Sequence, residues 1–349
     1  MAAALTTLCA LSPAVVAPRI AAAAPPLPAP DQKADSQMKA VLLELARLNP
    51  TPLYKLTPAQ VRKRPGPPDA VKAVLVKQGK PTTPEPVAKV ENRTVPGPAG
   101  AIPVRVYTPS GTGPFPVLVY FHGGGWVIGS VQAYDSSCRA LANAASCVVV
   151  SVEYRLAPEH KFPASHEDSY AATQYVMKNT AQFGGDPKRV AVGGESAGGN
   201  LAASVCLMAR NRGGRMPIHQ LDVYPIAGYN LNTPSYRANA TAIPLSRPFM
   251  AWFFRYALRS PRDGRSPMIS LDRANLRGLP PATVITAQID PLQSEGKVFA
   301  DRLKAVGIPV RYRNYDGVAH EFFGMAAVVD KAKDANAFAA DGLKAAFSK

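Results

Sequence analysis

The sequence predicts an α/β protein with a mostly parallel central sheet covered by helices on both faces. Short apolar strands alternate with helical segments from about residue 115 to the C-terminus. Residues 117–121 (VLVYF) are wholly apolar, as expected of a central strand buried on both faces. Residues 190–203 (VAVGGESAGGNLAA) pass from a β-branched run through paired glycines and one serine into small residues, which indicates a strand, a sharp turn and a helix.

The composition is that of an ordinary globular protein and limits the classes of partner. The chain has 349 residues, of which 47% are hydrophobic and 18% charged, enough for one large domain with additions. The net charge of +16 suggests nucleic acid, but the basic residues are scattered without a long stripe. A solvated basic surface is therefore expected, and no nucleic-acid partner.

The cysteines do not indicate a metal site or a disulfide framework. There are four, and their spacing matches neither pattern. Buried thiols are expected for Cys138, Cys147 and Cys206, which lie in or beside apolar segments.

The first 30 residues are rich in alanine and proline and indicate either an export signal or a disordered leader. Residues 22–24 (AAA) resemble a small-residue cleavage site after an apolar core, yet no Lys or Arg precedes that core. The location stays open between the cytoplasm and, with a cleaved signal, the periplasm or the medium. No other stretch reaches transmembrane length, so no stable membrane insertion is expected. A homodimer is compatible with the sequence, which leaves the oligomeric state open.

A small helical region is predicted before the sheet, over residues 31–86. Residues 36–48 place apolar side chains at helical spacing, and further helices are predicted over 58–64 and 69–77. These helices offer too little apolar surface to fold alone and are expected to pack on the rest of the chain.

From residue 87 the pattern changes to strands. Residues 90–95 and 102–107 alternate apolar and polar side chains around a Pro/Gly turn, which predicts a hairpin at one edge of the sheet. Further strands are predicted over 117–121, 147–152, 189–192, 220–224, 282–287 and 310–315, and helices over 131–145, 164–179, 294–306 and 330–347. Residues 226–268 break the alternation with a proline-rich loop around an aromatic helix at 247–258, an insertion expected to lie over the strand ends.

Ser196 is the candidate nucleophile. It is the serine of a G-x-S-x-G motif at residues 194–198 (GESAG), in the strand–turn–helix setting that the motif requires. A sharp turn brings the residues two before and two after the serine together, so both must be nearly free of side chains. The motif alone is also compatible with an ordinary glycine-rich β-to-α connection.

A serine nucleophile needs a base and a group that orients the base. Of the five histidines only His219 and His320 follow Ser196, as the order serine, acid, histidine requires, and His219 enters a strand too soon. His320 is therefore the predicted base, in a loop after the last strand. Asp290 is the predicted acid because it ends the strand at 284–289. Rival carboxylates are interpreted as ordinary solvated acids; they are Asp272, Asp301 and Asp316.

A glycine run at residues 122–126 (HGGGW) directly follows the apolar strand. No Lys-Ser/Thr follows it and the G-x-G-x-x-G spacing is absent, which excludes a phosphate loop. The backbone N–H groups of Gly123 and Gly124, with that of Ala197, are predicted to form an oxyanion hole. His122 is expected to brace this loop.

Five motifs in this order resemble those of the hormone-sensitive-lipase family, whose bacterial members are esterases and acetyl-hydrolases of the α/β-hydrolase fold. They are HGGGW (122–126), YRLAPEH (154–160), GESAGGN (194–200), DPL (290–292) and HEFF (320–323). The likeness runs from about residue 36 to the C-terminus.

The resemblance implies a serine carboxylesterase that hydrolyses small-molecule esters of short to medium acyl length through an acyl-enzyme, without a metal or organic cofactor. It implies Ser196 as nucleophile, His320 as general base and acid, and Asp290 as orienting acid, with oxyanion donors at Gly123, Gly124 and Ala197. It also implies a helical cap, formed by residues 31–86 and 226–268, on a catalytic domain at 87–349.

Two positions depart from many family members, which have Asp at position 195 and Gly at position 321. Glu195 keeps the carboxylate, but Glu321 leaves the substrate preference open. A lipase, a deacetylase or an amide or carbamate hydrolase would use the same triad. A non-catalytic ligand receptor of this fold is disfavoured, because the plant gibberellin receptors that resemble the family have lost the histidine that stands here as His320.

Overall fold

The computed structural model describes Ala3 and residues 26–348, so most of the predicted leader at 1–30 lies outside the described residues. One eight-stranded sheet forms the centre of this part of the chain. Its strands are β1 (Lys89–Gly97), β2 (Gly100–Thr108), β3 (Phe115–Phe121), β4 (Val148–Val152), β5 (Gly185–Glu195), β6 (Gln220–Val223), β7 (Ala282–Ile289) and β8 (Val310–Ala319).

Helices connect the strands and add two segments outside the alternation. The α-helices are α1 (Ser36–Leu48), α2 (Pro58–Val61), α3 (Pro67–Lys77), α4 (Asp135–Ala145), α5 (Ala164–Lys178), α6 (Ala197–Arg212), α7 (Pro234–Ala238), α8 (Arg247–Ala257), α9 (Gln293–Ala305) and α10 (Asp330–Phe347). Short 3₁₀ turns lie at Ala29–Lys33, Leu53–Lys55, Thr180–Phe183, Asp263–Arg265, Leu271–Arg273 and Phe322–Met325.

The strand order is β1-β2-β4-β3-β5-β6-β7-β8. The β1–β2 hairpin lies at one edge and β2 pairs antiparallel with β4, whereas the pairs from β4 through β8 are parallel. The predicted edge hairpin and mostly parallel sheet are confirmed. All parallel strands therefore present their carboxyl ends at one edge, where an open α/β sheet places its site.

The sheet is buried on both faces, as β3 illustrates. Val117, Val119 and Phe121 pack with α5, α6, α8 and α9. Leu118 and Tyr120 point to the opposite face and pack with α1, α3, α4 and α10. This period of two explains why the β3 sequence is apolar at every position.

Three element bounds differ from the prediction in ways that matter for the site. The helix predicted from residue 131 begins at Asp135, after a turn, and β5 is longer than the predicted 189–192. The last strand is predicted over 310–315 with His320 in the loop after it, but β8 continues to Ala319, which pairs with Ile289 of β7. His320 therefore directly follows the strand. Asp316 accordingly lies within β8.

Cys138 lies inside α4, and it, Cys147 and Cys206 are buried free thiols, as predicted. Within the described ranges, no three His, Cys, Asp or Glu side chains are grouped as metal ligands. None of the helices over residues 26–348 is both long and apolar enough to cross a bilayer.

The N-terminal segment (residues 26–86) and the insertion (residues 226–268) contact each other. The indole N–H of Trp252 donates to the carbonyl oxygen of Leu56 at 2.9 Å. The buried Asp31 carboxylate accepts the N–H of Ile243 at 3.2 and 3.3 Å. The two segments are thus joined directly, although nearly 200 residues separate them in the chain.

Candidate active site

Ser196 stands alone between β5 and α6 on a strained turn. Its φ of 59° and ψ of −117° are costly for a residue with a side chain. A Cβ atom on Gly194 would lie 2.5 Å from the carbonyl carbon of Gly198, and one on Gly198 would lie 2.6 Å from the carbonyl carbon of Phe121. The crowding predicted from the motif is therefore present, and it requires glycine at both positions.

The structure brings Ser196, His320 and Asp290 together at the carboxyl edge of the sheet. His320 Nε2 lies 3.0 Å from Ser196 Oγ, and His320 Nδ1 lies 2.7 Å from Asp290 Oδ2. All three side chains are buried, with exposed fractions of 4% or less. Asp290 Oδ2 accepts a proton on Nδ1, which leaves the Nε2 lone pair facing the serine hydroxyl. This arrangement can deprotonate the serine.

The backbone around Asp290 is fixed by a residue that the sequence did not indicate. Asn239, from the insertion, donates through Nδ2 to the carbonyl oxygens of Asp290 and Gln288 at 3.1 and 3.2 Å. Asp290 Oδ1 also accepts the N–H of Leu292 at 2.8 Å. Both carboxylate oxygens are thereby assigned partners, and the Asp290 side chain has one orientation.

The charges around His320 favour its protonated form. Burial by itself lowers the pKa of His320, but the charge of Asp290 and its hydrogen bond, together with the nearby Glu321 and Glu195, raise that pKa above its ordinary value. An imidazolium formed when Ser196 loses its proton is therefore stabilised.

A buried carboxylate, Glu195, precedes the serine. It accepts hydrogen bonds from the hydroxyls of Tyr120 and Tyr224. The pKa of Glu195 is raised to about 7, by burial above all and by the nearby Glu321 carboxylate, while the two tyrosines act against this rise.

A second carboxylate, Glu321, follows the histidine. The Tyr134 hydroxyl lies 2.8 and 2.9 Å from its two oxygens, and Glu321 Oε1 is 3.7 Å from His320 Nε2. Burial raises the pKa of Glu321 above its usual range, although the charge of His320 and the Tyr134 hydrogen bond lower it. The φ of Glu321 is 69°, a left-handed conformation that favours glycine.

The glycine loop passes beside Ser196, and Gly124 is a position in it that needs glycine. Gly124 has a φ of 101°, and a Cβ there would lie 2.6 Å from the carbonyl carbon of Ile128. His122 is buried and stacks on Tyr154 with ring centres 4.2 Å apart, and the Tyr154 hydroxyl donates to the carbonyl oxygen of His122 at 2.7 Å. His122 thus braces the loop.

Ala197 is the first residue of α6, where N–H groups have no carbonyl partner one turn earlier in the helix.

A cavity of about 960 Å³ opens onto Ser196 and His320. One group of its lining residues is apolar and belongs to a single packed cluster; it comprises Leu53, Val61, Ile128, Leu245, Phe249 and Phe253. A second group is polar and lies beside the histidine; it comprises Tyr134, Ser136, Ser137, Glu195 and Glu321. The N-terminal segment and the insertion both supply walls of this cavity.

The chain is similar to known ester hydrolases over most of its length. A model of the α/β hydrolase fold matches residues 118–324. Carboxylesterase NlhH of Mycobacterium tuberculosis is 42% identical over 274 residues, which cover 76% of this chain and 86% of that protein. Ethyl acetate hydrolase of Pseudomonas putida is 31% identical over 248 residues, which cover 70% of this chain and 78% of that protein.

A solved structure of an esterase is similar to this chain over most of its length. An esterase from Pyrobaculum calidifontis superposes with a TM-score of 0.77 at 40% identity, over 84% of this chain and 94% of that chain. The predicted fold class and family are confirmed. The chain therefore belongs to the α/β hydrolase fold family, and within it to the hormone-sensitive-lipase type.

Proposed function

We propose that this chain is a serine carboxylesterase that cleaves small-molecule esters of short to medium acyl length through an acyl-enzyme on Ser196. Its family and its carboxylesterase relatives make it a carboxylic ester hydrolase. The observation that carries the assignment of residues is the buried hydrogen-bonded series Ser196–His320–Asp290, with distances of 3.0 and 2.7 Å.

In the proposed acylation step, His320 Nε2 takes the Ser196 proton as Oγ attacks the ester carbon. The carbonyl oxygen becomes an oxyanion that accepts hydrogen bonds from backbone N–H groups of Gly123, Gly124 and Ala197. Each such donor supplies on the order of 3 kcal/mol of transition-state stabilisation. When the intermediate collapses, the carbon–oxygen bond to the alcohol breaks and Nε2–H gives its proton to the leaving oxygen.

Deacylation repeats these steps with water. Nε2 takes a proton from the water as the oxygen attacks the acyl carbon, and the proton then returns to Ser196 Oγ as the acid leaves. Asp290 stabilises the imidazolium in both halves because its carboxylate stays on Nδ1.

The proposed cap is formed by residues 31–86 and 226–268, which supply walls of the cavity. At about 960 Å³ the cavity has room for both parts of a small ester. A relative named for ethyl acetate, an ester of a two-carbon acid, supports the short end of the acyl range.

Active-site labelling tests the nucleophile. A fluorophosphonate should label the wild type and the control Ser110→Ala, which changes an exposed serine after β2, but not Ser196→Ala. Undiminished labelling of Ser196→Ala would refute the assignment.

Initial rates on p-nitrophenyl esters of two to sixteen carbons test the acyl range, and a maximum at long chains would make the enzyme a lipase instead. A homodimer is a separate hypothesis. Analytical ultracentrifugation tests it, because a dimer would sediment with the mass of two chains.

A further inference from the structure

If the proposed function holds, the position of Glu321 next to His320 determines which part of a bound ester its carboxylate faces. His320 Nε2 must protonate the leaving oxygen, so that oxygen has to come within about 3 Å of Nε2. Glu321 Oε1 is already 3.7 Å from the same nitrogen. By these two distances the leaving oxygen lies within about 7 Å of Glu321 Oε1, and the departing alcohol begins at that oxygen, whereas the acyl group lies beyond the ester carbon.

The Glu321 carboxylate is held at this position. Tyr134 bonds both of its oxygens, and Tyr134 itself is buried, with 8% of its surface exposed. The Glu321 side chain lines the cavity and keeps 16% exposure. It is thus fixed, and yet accessible to a bound alcohol.

Among residues 26–348, no basic side chain apart from His320 pairs with a carboxylate on this side of the cavity. Over residues 26–348, the ion-pair partner of Glu321 is His320, and no Lys or Arg forms an ion pair with Glu321 or Glu195. Arg62 and Arg64 also line the cavity, but on the wall of the N-terminal segment; Arg62 pairs with Glu159 at 2.8 Å, and Arg64 donates to Leu48 and Asn49. Around His320 lie the carboxyl groups of Asp290, Glu321 and Glu195, and the one positive charge among them is the imidazolium that the reaction creates.

We propose that Glu321 is a specificity-determining residue, whose carboxylate favours esters of cationic alcohols over esters of neutral alcohols of the same shape, and disfavours anionic alcohols. A quaternary ammonium group two carbons from the leaving oxygen would lie several ångströms from Glu321. At about 6 Å, with an effective dielectric constant of about 40 for a cavity that admits water, a charge pair changes the ratio of rates by about tenfold.

The test compares two acetate esters of the same shape, choline acetate and 3,3-dimethylbutyl acetate, which differ in a positive nitrogen against a neutral carbon. The wild type should have the larger kcat/KM on choline acetate. Glu321→Gln keeps the size of the side chain and should lower the choline/dimethylbutyl ratio by about tenfold. Asp69→Asn removes a carboxylate from the wall that α3 supplies to the same cavity and should leave the ratio within about twofold.

Equal kcat/KM values on the two esters in the wild type would overturn the proposal, as would an unchanged ratio in Glu321→Gln or an equal fall in Asp69→Asn. If Glu321→Gln does not fold, Glu321→Gly suits the φ of 69° and should give the same loss of preference. Activity on 3,3-dimethylbutyl acetate that persists in Ser196→Ala would instead refute the proposed function, so the two failures are distinguishable.

Discussion

The substitution Asp290→Asn tests the role of the acid by reversing one hydrogen bond. In the wild type, Oδ1 accepts the N–H of Leu292 at 2.8 Å and Oδ2 accepts the Nδ1–H of His320 at 2.7 Å. An asparagine can keep its oxygen on Leu292 only by turning its NH₂ group toward Nδ1. His320 must then carry its proton on Nε2, where it faces Ser196 Oγ as a donor and cannot act as a base.

In the opposite orientation, the amide oxygen accepts the Nδ1–H of His320, so the histidine keeps the tautomer that can act as a base. The NH₂ group of the asparagine then faces the N–H of Leu292, and two donors oppose each other. At a fully buried position an unmade hydrogen bond costs about 1–3 kcal/mol, and the imidazolium also loses a charge-assisted bond of about 1.5–3 kcal/mol. The sum, about 4 kcal/mol, corresponds to a loss of about 10³-fold in rate.

The assay is kcat and KM on p-nitrophenyl butyrate, with circular dichroism as a check that the variant is folded. The loss should fall on kcat with KM little changed, because Asp290 contacts the histidine and not the substrate. A folded variant that keeps more than a tenth of the wild-type kcat would refute the assignment of Asp290 as the orienting acid.

Two further predictions concern the turn and the pH dependence. Gly198→Ala should abolish activity and lower the free energy of unfolding by about 1–3 kcal/mol, because its Cβ would lie 2.6 Å from the Phe121 carbonyl carbon. The control is Gly66→Ala, whose Cβ would have its nearest neighbouring atom at 3.6 Å. An equal effect in the two variants would contradict the crowding argument. The kcat/KM of the wild type should fall as the pH drops through a midpoint above 6.5, because the pKa of His320 is raised and a protonated imidazole cannot accept the serine proton. A profile of kcat/KM over pH 5–9 measures the midpoint. A midpoint below 6 would be inconsistent with the raised pKa.

Much of the fold and the central residues of the site could be predicted because their signals are local. The glycines around Ser196 follow from crowding within five residues, and the apolar β3 follows from burial on both faces. The order of the chain then singled out His320 and Asp290 among the acids and histidines. These three lie together as expected, while their chemical roles stay predictions.

The carboxylate environment could not be predicted because its contacts join distant elements. Tyr134 and Glu321 are 187 residues apart, and Tyr120 and Glu195 are 75 apart. In the sequence Tyr120 belongs to an apolar strand and indicates only burial. Which tyrosine meets which carboxylate depends on strand register and on the start of α4 at Asp135, neither of which hydrophobic periodicity determines.

The two hydrogen bonds between the N-terminal segment and the insertion have a consequence for exchanging parts between homologues. A chimaera that replaces only residues 26–86 keeps the bond of the Trp252 indole only where the new backbone places a carbonyl at the point that Leu56 occupies. It leaves the N–H of Ile243 without a partner unless the new segment supplies an acceptor in place of the Asp31 carboxylate. Each orphaned group costs about 1–3 kcal/mol, a substantial share of the stability of a folded domain. Recombination that aims at a new substrate range should therefore transfer both segments from one parent, since in this chain hydrogen bonds join them directly.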